Sequence, residues 1–339
     1  MSVTIRDVAK QAGVSISTVS RVLNGTSPVR EEKKRLVEAA AESLGYAPNP
    51  AALSLRGKRT GGLGVLLPFV SGEFFSELLG GLDEATQELG FFLVVSTSHR
   101  RPIEFRRAIA ALDKRVDGLV VMAPEIDHDD AASILRPGTP VVFLNTYAEG
   151  LQADVFNFGN FDGARALTEH MIGLGHRRVA FVHGPERARD AQERARGYRV
   201  AMREAGLPTE GLEFAGGYSR ESGYAAASEL LAAAPRPTAV VAVNDYCALG
   251  IMSAFHRAGV SVPGDVSIGG FDGLASTQYA VPALTTVRVP VRTLGHRAIE
   301  RLVSRLNGAP GAPPLATEVV PVELVERAST APPPEASGE

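Results

Sequence analysis

The chain has one cysteine, Cys247, among its 339 residues. That excludes a disulfide framework within the chain and a cysteine-rich metal site, and the apolar flanks of Cys247 predict a buried, inert thiol. No apolar run approaches the roughly 20 residues that a membrane-spanning helix needs. The N-terminus lacks a basic stretch followed by an apolar one, so no secretory signal is expected and a cytoplasmic location is. Signatures of catalysis are missing too. The histidines do not pair at metal-ligand spacing, HExxH and the phosphate-loop pattern do not occur, and Gly80-Gly81 and Gly269-Gly270 stand in the wrong frame for a dinucleotide loop. The stretch Gly175–Arg178 precedes a strand and reads as structural. Nothing calls for a cofactor, a metal or an enzyme.

What is present is a sizeable apolar fraction, 45%, and an uneven charge. The net charge is −3, yet residues 1–60 hold 10 Lys+Arg against 5 Asp+Glu. A basic N-terminal segment on an acidic remainder suits contact with a polyanion. Solvated helices carry such charges as well.

The stretch from Thr4 to Asn24 reads as two short helices around a glycine. Thr4 can cap the first, with Asp7 three residues on and Val3 placed to staple to Val8. Ile5, Val8, Ala9 and Ala12 share one helical face. Gly13 supplies the turn, because glycine takes a positive φ cheaply. Ser15 caps the second helix, which buries Val19, Val22 and Leu23. Its other face carries Ser17, Thr18, Arg21 and Asn24: small, polar, starting at a helix N-terminus and ending near an arginine. Such a face can enter a major groove, with phosphate at the N-terminus. The alternative is the solvated face of an ordinary helical hairpin. A third helix is predicted over Arg30–Leu44, with Leu36, Val37, Ala40 and Leu44 as its apolar stripe and Glu31 and Glu32 in its first turn. Asn49, Pro50 and Gly57 bracket a helix too short to stand alone in water.

These residues, followed by Asn24–Val29 (NGTSPV) and Leu44–Asn49 (LGYAPN), resemble the head of the lactose-repressor/galactose-repressor family of bacterial transcription regulators. The resemblance extends over essentially the whole chain. It implies a helix-turn-helix head that binds near-palindromic operator DNA as a homodimer. Contacts to DNA are then expected from Thr4, Ser15, Ile16, Ser17, Thr18, Arg21 and Asn24. Arg21 is assigned to phosphate or guanine, Thr4 and Asn24 to phosphate, and Ile16, Ser17 and Thr18 to bases, Ile16 against a thymine methyl. The short helix after Asn49 becomes a hinge helix that wedges Leu55 into the minor groove, with Lys58 and Arg59 reaching phosphates. One departure is Arg30, where the family usually has serine or threonine near the cap of the third helix.

From Gly61 onward, apolar runs alternate with helical periodicity. Strand-like runs are Leu63–Leu67, Phe91–Ser96, Gly118–Met122, Val141–Leu144, Val179–Val182, Ala239–Val243 and Ser267–Phe271, with helix-like stretches between them. This alternation predicts doubly wound parallel sheets in two lobes. The expected fold class is an all-α helix-turn-helix head plus an α/β body whose two lobes resemble periplasmic binding proteins. The expected divisions are a head over 1–48, a hinge and linker over 49–60, and a body over 61–327. Lobe 1 takes about 61–159 and 291–316, lobe 2 about 160–290 and 317–327; the family resemblance implies the crossovers, near Asn157, Pro290 and Thr317. The tail, 328–339, is expected to be disordered.

Ligands of doubly wound sheets bind beyond the carboxyl ends of the strands. Phe74, Asn145, Arg194, Tyr218, Asn244, Asp245 and Asp272 fall there in this reading, Arg194 opening a helix. Aromatic plates with amide, guanidinium and carboxylate groups suit a sugar or a base. The resemblance implies that Arg194, Tyr218, Asn244 and Asp272 touch a small-molecule effector. Phe75 reads as core, and Asn244-Asp245 reads equally as a helix cap. In two places the chain departs from many family members: Ser96–Arg100 in the loop after the second strand, and Gly159-Asn160 at the entry to lobe 2. The pair His99-Arg100 points to a negatively charged effector, a sugar phosphate or sugar acid, or else to a solvated loop.

The expected function is a transcriptional regulator, a repressor switched by a sugar-like effector held between the lobes. Three other readings stay open: an activator or corepressor-dependent regulator answering to a purine, one answering to a protein partner, and a ligand-binding or transport-associated protein. A dimer is expected over a tetramer, since no leucine heptads close the chain.

Overall fold

The computed structural model describes residues 3–24, 29–46, 59–135, 138–146, 150–308 and 315–334. The chain divides at Gly61/Gly62 into two compact units, a head and a body.

The head holds α1 (Ile5–Gln11), α2 (Ile16–Asn24) and α3 (Glu31–Ser43). The carboxylate of Asp7 accepts from the Thr4 backbone N–H at 2.8 Å and from its hydroxyl at 2.7 Å, which fixes the first turn of α1. Those two bonds hold the Asp7 carboxyl below the usual carboxylate range. Gly13 turns the chain at φ +63°. Ser15 then caps α2, its Oγ accepting from the Thr18 N–H. Val8, Ala9, Ala12, Val19, Val37, Ala40 and Ala41 make a core of its own. The stripe expected on α3 is rotated: Ala41 is buried and Leu36 is 50% exposed. The hinge helix expected after Asn49, with Leu55 and Lys58, lies outside the described residues.

The body opens with β1 (Gly62–Leu67), α4 (Glu73–Glu88), β2 (Phe92–Thr97), α5 (Pro102–Leu112), β3 (Gly118–Met122), α6 (His128–Ser133), β4 (Val141–Leu144) and β5 (Asp154–Phe158). It continues with α7 (Asn160–Gly173), β6 (Val179–Val182), α8 (Arg189–Glu204), β7 (Glu213–Phe214), α9 (Arg220–Ala232), β8 (Ala239–Ala242), α10 (Asp245–Arg257), β9 (Ser267–Asp272) and β10 (Thr285–Arg288). The last elements are α11 (Val291–Asn307), β11 (Thr317–Val320) and β12 (Glu323–Val325). Two six-stranded sheets result, ordered β11-β5-β4-β3-β1-β2 and β12-β10-β9-β8-β6-β7. Among the described residues, only β12 runs antiparallel to its neighbour. The inner strands β1 and β3 are buried along their whole length, as strands covered on both faces must be.

The chain crosses between lobes at Gly159, at Val289-Pro290 and at Pro321-Val322. The third crossing corrects the expected division. Thr317–Val320 pairs in parallel with Val155–Phe158 and so belongs to lobe 1, not lobe 2. The tail also differs from expectation. Ser329 is fully buried, its hydroxyl donating to the Ile268 carbonyl at 2.6 Å and accepting from the Thr285 N–H at 2.8 Å. His176 holds Ala331: its Nε2 donates to that carbonyl at 2.9 Å. Residues 335–339 lie outside the described ones.

Helix pairs pack closely where glycine allows it. A Cβ on Gly223 of α9 would meet the Cys247 carbonyl oxygen at 2.1 Å, and one on Gly250 of α10 would meet that of Arg220 at 2.1 Å. That crossing sets the starts of α9 and α10 side by side, and both starts border the site described next. Cys247 is buried there, and burial pushes its thiol up to about 12.

Candidate functional site

In the head, α2 turns Ser15, Ile16, Ser17 and Arg21 outward and leaves Thr18 half-buried. The Ser15 hydroxyl pairs with those of Ser17 at 2.8 Å and Thr18 at 2.9 Å, so a small hydroxyl cluster sits at the start of the helix. Ile16 is 45% exposed with no core to fill. Thr4 is exposed beside α1. Asn24 closes α2, and its side chain lies outside the described residues.

In the body, a cavity of about 610 Å³ lies between the lobes. That volume suits one small organic ligand. Carboxyl ends of strands from both sheets build its wall. Phe69 follows β1, Arg100 follows β2, Met122 and Phe158 end β3 and β5, and Asn145 directly follows β4; from lobe 2 come Tyr218 after β7, Asn244 after β8 and Asp272 at the end of β9. This is the placement that doubly wound sheets give a ligand. Arg100, Asn145 and Asp272 hold φ of +54°, +45° and +114°, a left-handed backbone that non-glycine residues keep only when the surroundings enforce it.

One polar chain runs through the site from lobe to lobe. Asn160, the first residue of α7, donates from Nδ2 to Asn145 Oδ1 at 2.9 Å. Its Oδ1 accepts from Arg194 Nε at 3.0 Å. Arg194 Nη1 donates to the Val243 carbonyl at 2.8 Å and to Asp272 Oδ1 at 3.3 Å, while its guanidinium lies 3.8 Å from the Phe271 ring centroid. Arg194 is thus held on an edge and a face, which a lysine cannot reproduce. Burial pushes the Asp272 carboxyl up to about 6, against the pull of Arg194. At the other end of the chain, Asn145 Nδ2 is buried and has no hydrogen-bond partner among the described residues.

Beside this chain, Tyr218 donates its hydroxyl proton to Asp190 Oδ1 at 2.7 Å. Phe74, Phe75 and Phe158 form an edge-to-face aromatic wall, with centroids 5.3 and 6.1 Å from that of Phe74. Across the mouth the lobes are pinned together. The Tyr246 hydroxyl accepts from the Glu73 backbone N–H at 2.8 Å, and the Glu73 carboxylate accepts from the Ser276 N–H at 2.8 Å.

Six of the expected effector residues line this cavity: Phe74, Asn145, Arg194, Tyr218, Asn244 and Asp272. Asn244 is also the helix cap that the sequence left as an alternative, its Oδ1 accepting from the Cys247 N–H at 2.9 Å. Asp245 does not line it. It is fully buried, accepts from the Thr286 hydroxyl and the Leu274 N–H, and ties α10 to the strands behind the wall. Burial pushes its carboxyl well above the usual range, the nearby Asp272 adding to the effect. Phe75, read as core, is half-buried on the cavity wall. Arg194 does not open its helix; α8 begins at Arg189, which puts Asp190 one turn before it. Asp190, Phe158, Tyr246 and Asn160 were missed. Asp190 left a signal in its i,i+4 spacing to Arg194, and Asn160 stood out only as a departure at the entry to lobe 2.

Residues 4–49 match the bacterial regulatory proteins of the lacI family, and residues 168–330 match the periplasmic binding protein-like domain. The transcriptional repressor PurR of Photobacterium profundum is 35% identical over 307 residues, 90% of this chain and 92% of that protein. The ribose operon repressor of Escherichia coli (strain K12) is 34% identical over 308 residues, 90% of this chain and 93% of its own length. Among solved structures, the Lac repressor dimer bound to operator and the anti-inducer ONPF superposes with a TM-score of 0.84 at 30% identity, covering 98% of this chain and all of that one. Head, two-lobed body and relatedness along nearly the full length agree: the chain belongs to the lacI family of bacterial regulatory proteins, DNA-binding transcriptional repressors governed by small ligands.

Proposed function

We propose that this chain is a cytoplasmic repressor that binds a near-palindromic operator as a homodimer and releases it when a sugar-like effector enters the cavity between the lobes. It works by binding and needs no catalysis. In the head, Ile16, Ser17 and Thr18 meet base edges, Arg21 meets phosphate or guanine, and Ser15, Thr4 and Asn24 meet the backbone. Leu55 and Lys58 add the minor-groove wedge and a phosphate contact. In the body, Phe74, Arg194, Tyr218, Asn145, Asn244 and Asp272 hold the effector.

The observation that carries this reading is the chain Asn145–Asn160–Arg194–Asp272, which joins both lobes and ends in Asn145, a residue of the cavity wall whose buried Nδ2 has no hydrogen-bond partner among the described residues. A ligand hydroxyl or carbonyl that accepts from Asn145 Nδ2 satisfies that donor only in one arrangement of the lobes. Ligand binding is thereby coupled to lobe arrangement, which population shift requires. Fluorescence anisotropy on labelled operator tests it. A ligand that weakens operator affinity by roughly 5- to 150-fold must itself bind the operator-free protein more tightly by the same factor. Ligand binding that leaves operator affinity unchanged would refute the coupling.

A further inference from the structure

Given that the cavity is the effector site, the charges on its wall say which class of effector fits. Arg194 is paired with Asp272, and Asp190 accepts a hydrogen bond from the Tyr218 hydroxyl. Glu221 is held by hydrogen bonds at the start of α9, from its own backbone N–H and the Ser219 hydroxyl. Arg100 is different. It reaches from the loop after β2 in lobe 1, and its guanidinium lies 4.6 Å from the ring centroid of Tyr218 in lobe 2 and 5.7 Å from that of Phe69 in lobe 1. Aromatic faces fix the position of a guanidinium and leave its N–H edge unused. Among the described residues, Arg100 makes no hydrogen bond and no ion pair, although it lines the cavity. The acid behind it, Glu125, accepts from the Ser98 hydroxyl at 3.2 Å through one oxygen and has no hydrogen-bond partner on the other; burial pushes its carboxyl above the usual range, against the pull of Arg100. A second guanidinium, that of Arg220, stands at the mouth, 4.1 Å from the Tyr246 ring centroid.

The two ends of the cavity thus differ in chemistry. Arg100 follows β2, at the edge of the lobe 1 sheet, and Asn145 follows β4, three strands further in. At the usual strand spacing those points are roughly 14 Å apart. One end offers the Asn145 amide and the Asp272 carboxylate, which suit hydroxyls. The other offers a planar cationic fork, which suits a carboxylate or a phosphate. We propose that the effector is an anionic sugar, a sugar acid or sugar phosphate, whose hydroxyls are held toward Asn145, Arg194 and Asp272 and whose charged group is taken by Arg100.

Isothermal titration of the full-length protein with matched trios tests this. Suitable trios are glucose, glucuronate and glucose 6-phosphate; galactose, galacturonate and galactose 6-phosphate; and ribose, ribonate and ribose 5-phosphate. In the trio that binds, the anionic arm should bind at least tenfold more tightly than the neutral arm, and which anion wins separates carboxylate from phosphate. Arg100→Met should close that gap, and Arg100→Lys should restore part of it, with thermal melts showing that both variants fold. A neutral arm that binds as tightly as its anionic partners would overturn the inference and leave the effector cavity standing. So would a tenfold gap that survives in a folded Arg100→Met protein. Silence from every trio would reject the sugar-like reading and this inference together.

Discussion

Asn160 Nδ2 donates to Asn145 Oδ1 at 2.9 Å, so the first residue of lobe 2's leading helix is bonded to the residue that follows a lobe 1 strand, β4. Both side chains are buried, and Asn160 also accepts from Arg194. Asn160→Ala therefore strands an acceptor on Asn145 and a donor on Arg194. Stranding buried polar groups costs about 1–3 kcal/mol each. Urea unfolding should show a loss of that order, together with weaker effector binding. Wild-type stability in the variant would mean that water replaces the amide without loss.

Arg194→Lys should abolish effector binding while keeping the positive charge. A lysine has neither the edge that serves Asn160, Val243 and Asp272 nor the flat face over Phe271. Breaking a buried ion pair outright costs about 3–5 kcal/mol, so Arg194→Met should destabilise more than Arg194→Lys. Calorimetric melts of the two variants rank them.

Tyr246→Phe removes one bond that pins the lobes at the cavity mouth, the one accepted from the Glu73 N–H. A net hydrogen bond contributes about 0.5–1.5 kcal/mol, equivalent to roughly 2- to 10-fold in affinity. Effector affinity should fall by that factor, through faster dissociation, with the melting point nearly unchanged. Stopped-flow release rates check this, and an unchanged off-rate would remove Tyr246 from the gate.

The tail predicts a pH dependence. Burial holds the His176 imidazole below its ordinary 6.5, and the Ala331 carbonyl fixes its proton on Nε2. With the folded value depressed, the unfolded chain binds the extra proton. The contribution is fully present above 6.5 and is lost as pH falls through the folded value. Asp272, raised to about 6, works in the opposite sense over an overlapping range, losing its contribution as pH rises through that value. The difference between wild type and His176→Gln isolates the histidine. The variant should be less stable at pH 8, and the gap should narrow toward pH 5. A gap of constant size would contradict the assignment.

These variants also mark what could be read without coordinates. Strand-helix alternation exposed both sheets, because strands covered on both faces are apolar throughout. The polar groups at the strand ends Asn145, Asn244 and Asp272 were visible for the same reason: they interrupt apolar runs. Asp245 shows the limit. A carboxylate next to Asn244 looks equally available, yet the helix starting at Asp245 turns it inward onto Thr286 and Leu274. Arg100 was legible as half of the basic pair His99-Arg100, but its place on the cavity wall depends on Tyr218, more than a hundred residues away. The Thr317–Val320 strand could join either sheet by composition; only its partner, β5, decides. Residues 328–334 have the composition of a loose tail, but Ser329 and Ala331 supply hydrogen bonds to the inner strands β9 and β10 and to His176.

The most direct test of the whole account is a genomic operator selection with purified full-length protein at a stated salt concentration, repeated with neutral sugars, sugar acids, sugar phosphates and purines. The account predicts enrichment of one near-palindromic site and its loss with a sugar-like compound, the anionic form being the more potent. Enrichment of that site under every compound, or its appearance only when a compound is added, would contradict an effector-released repressor.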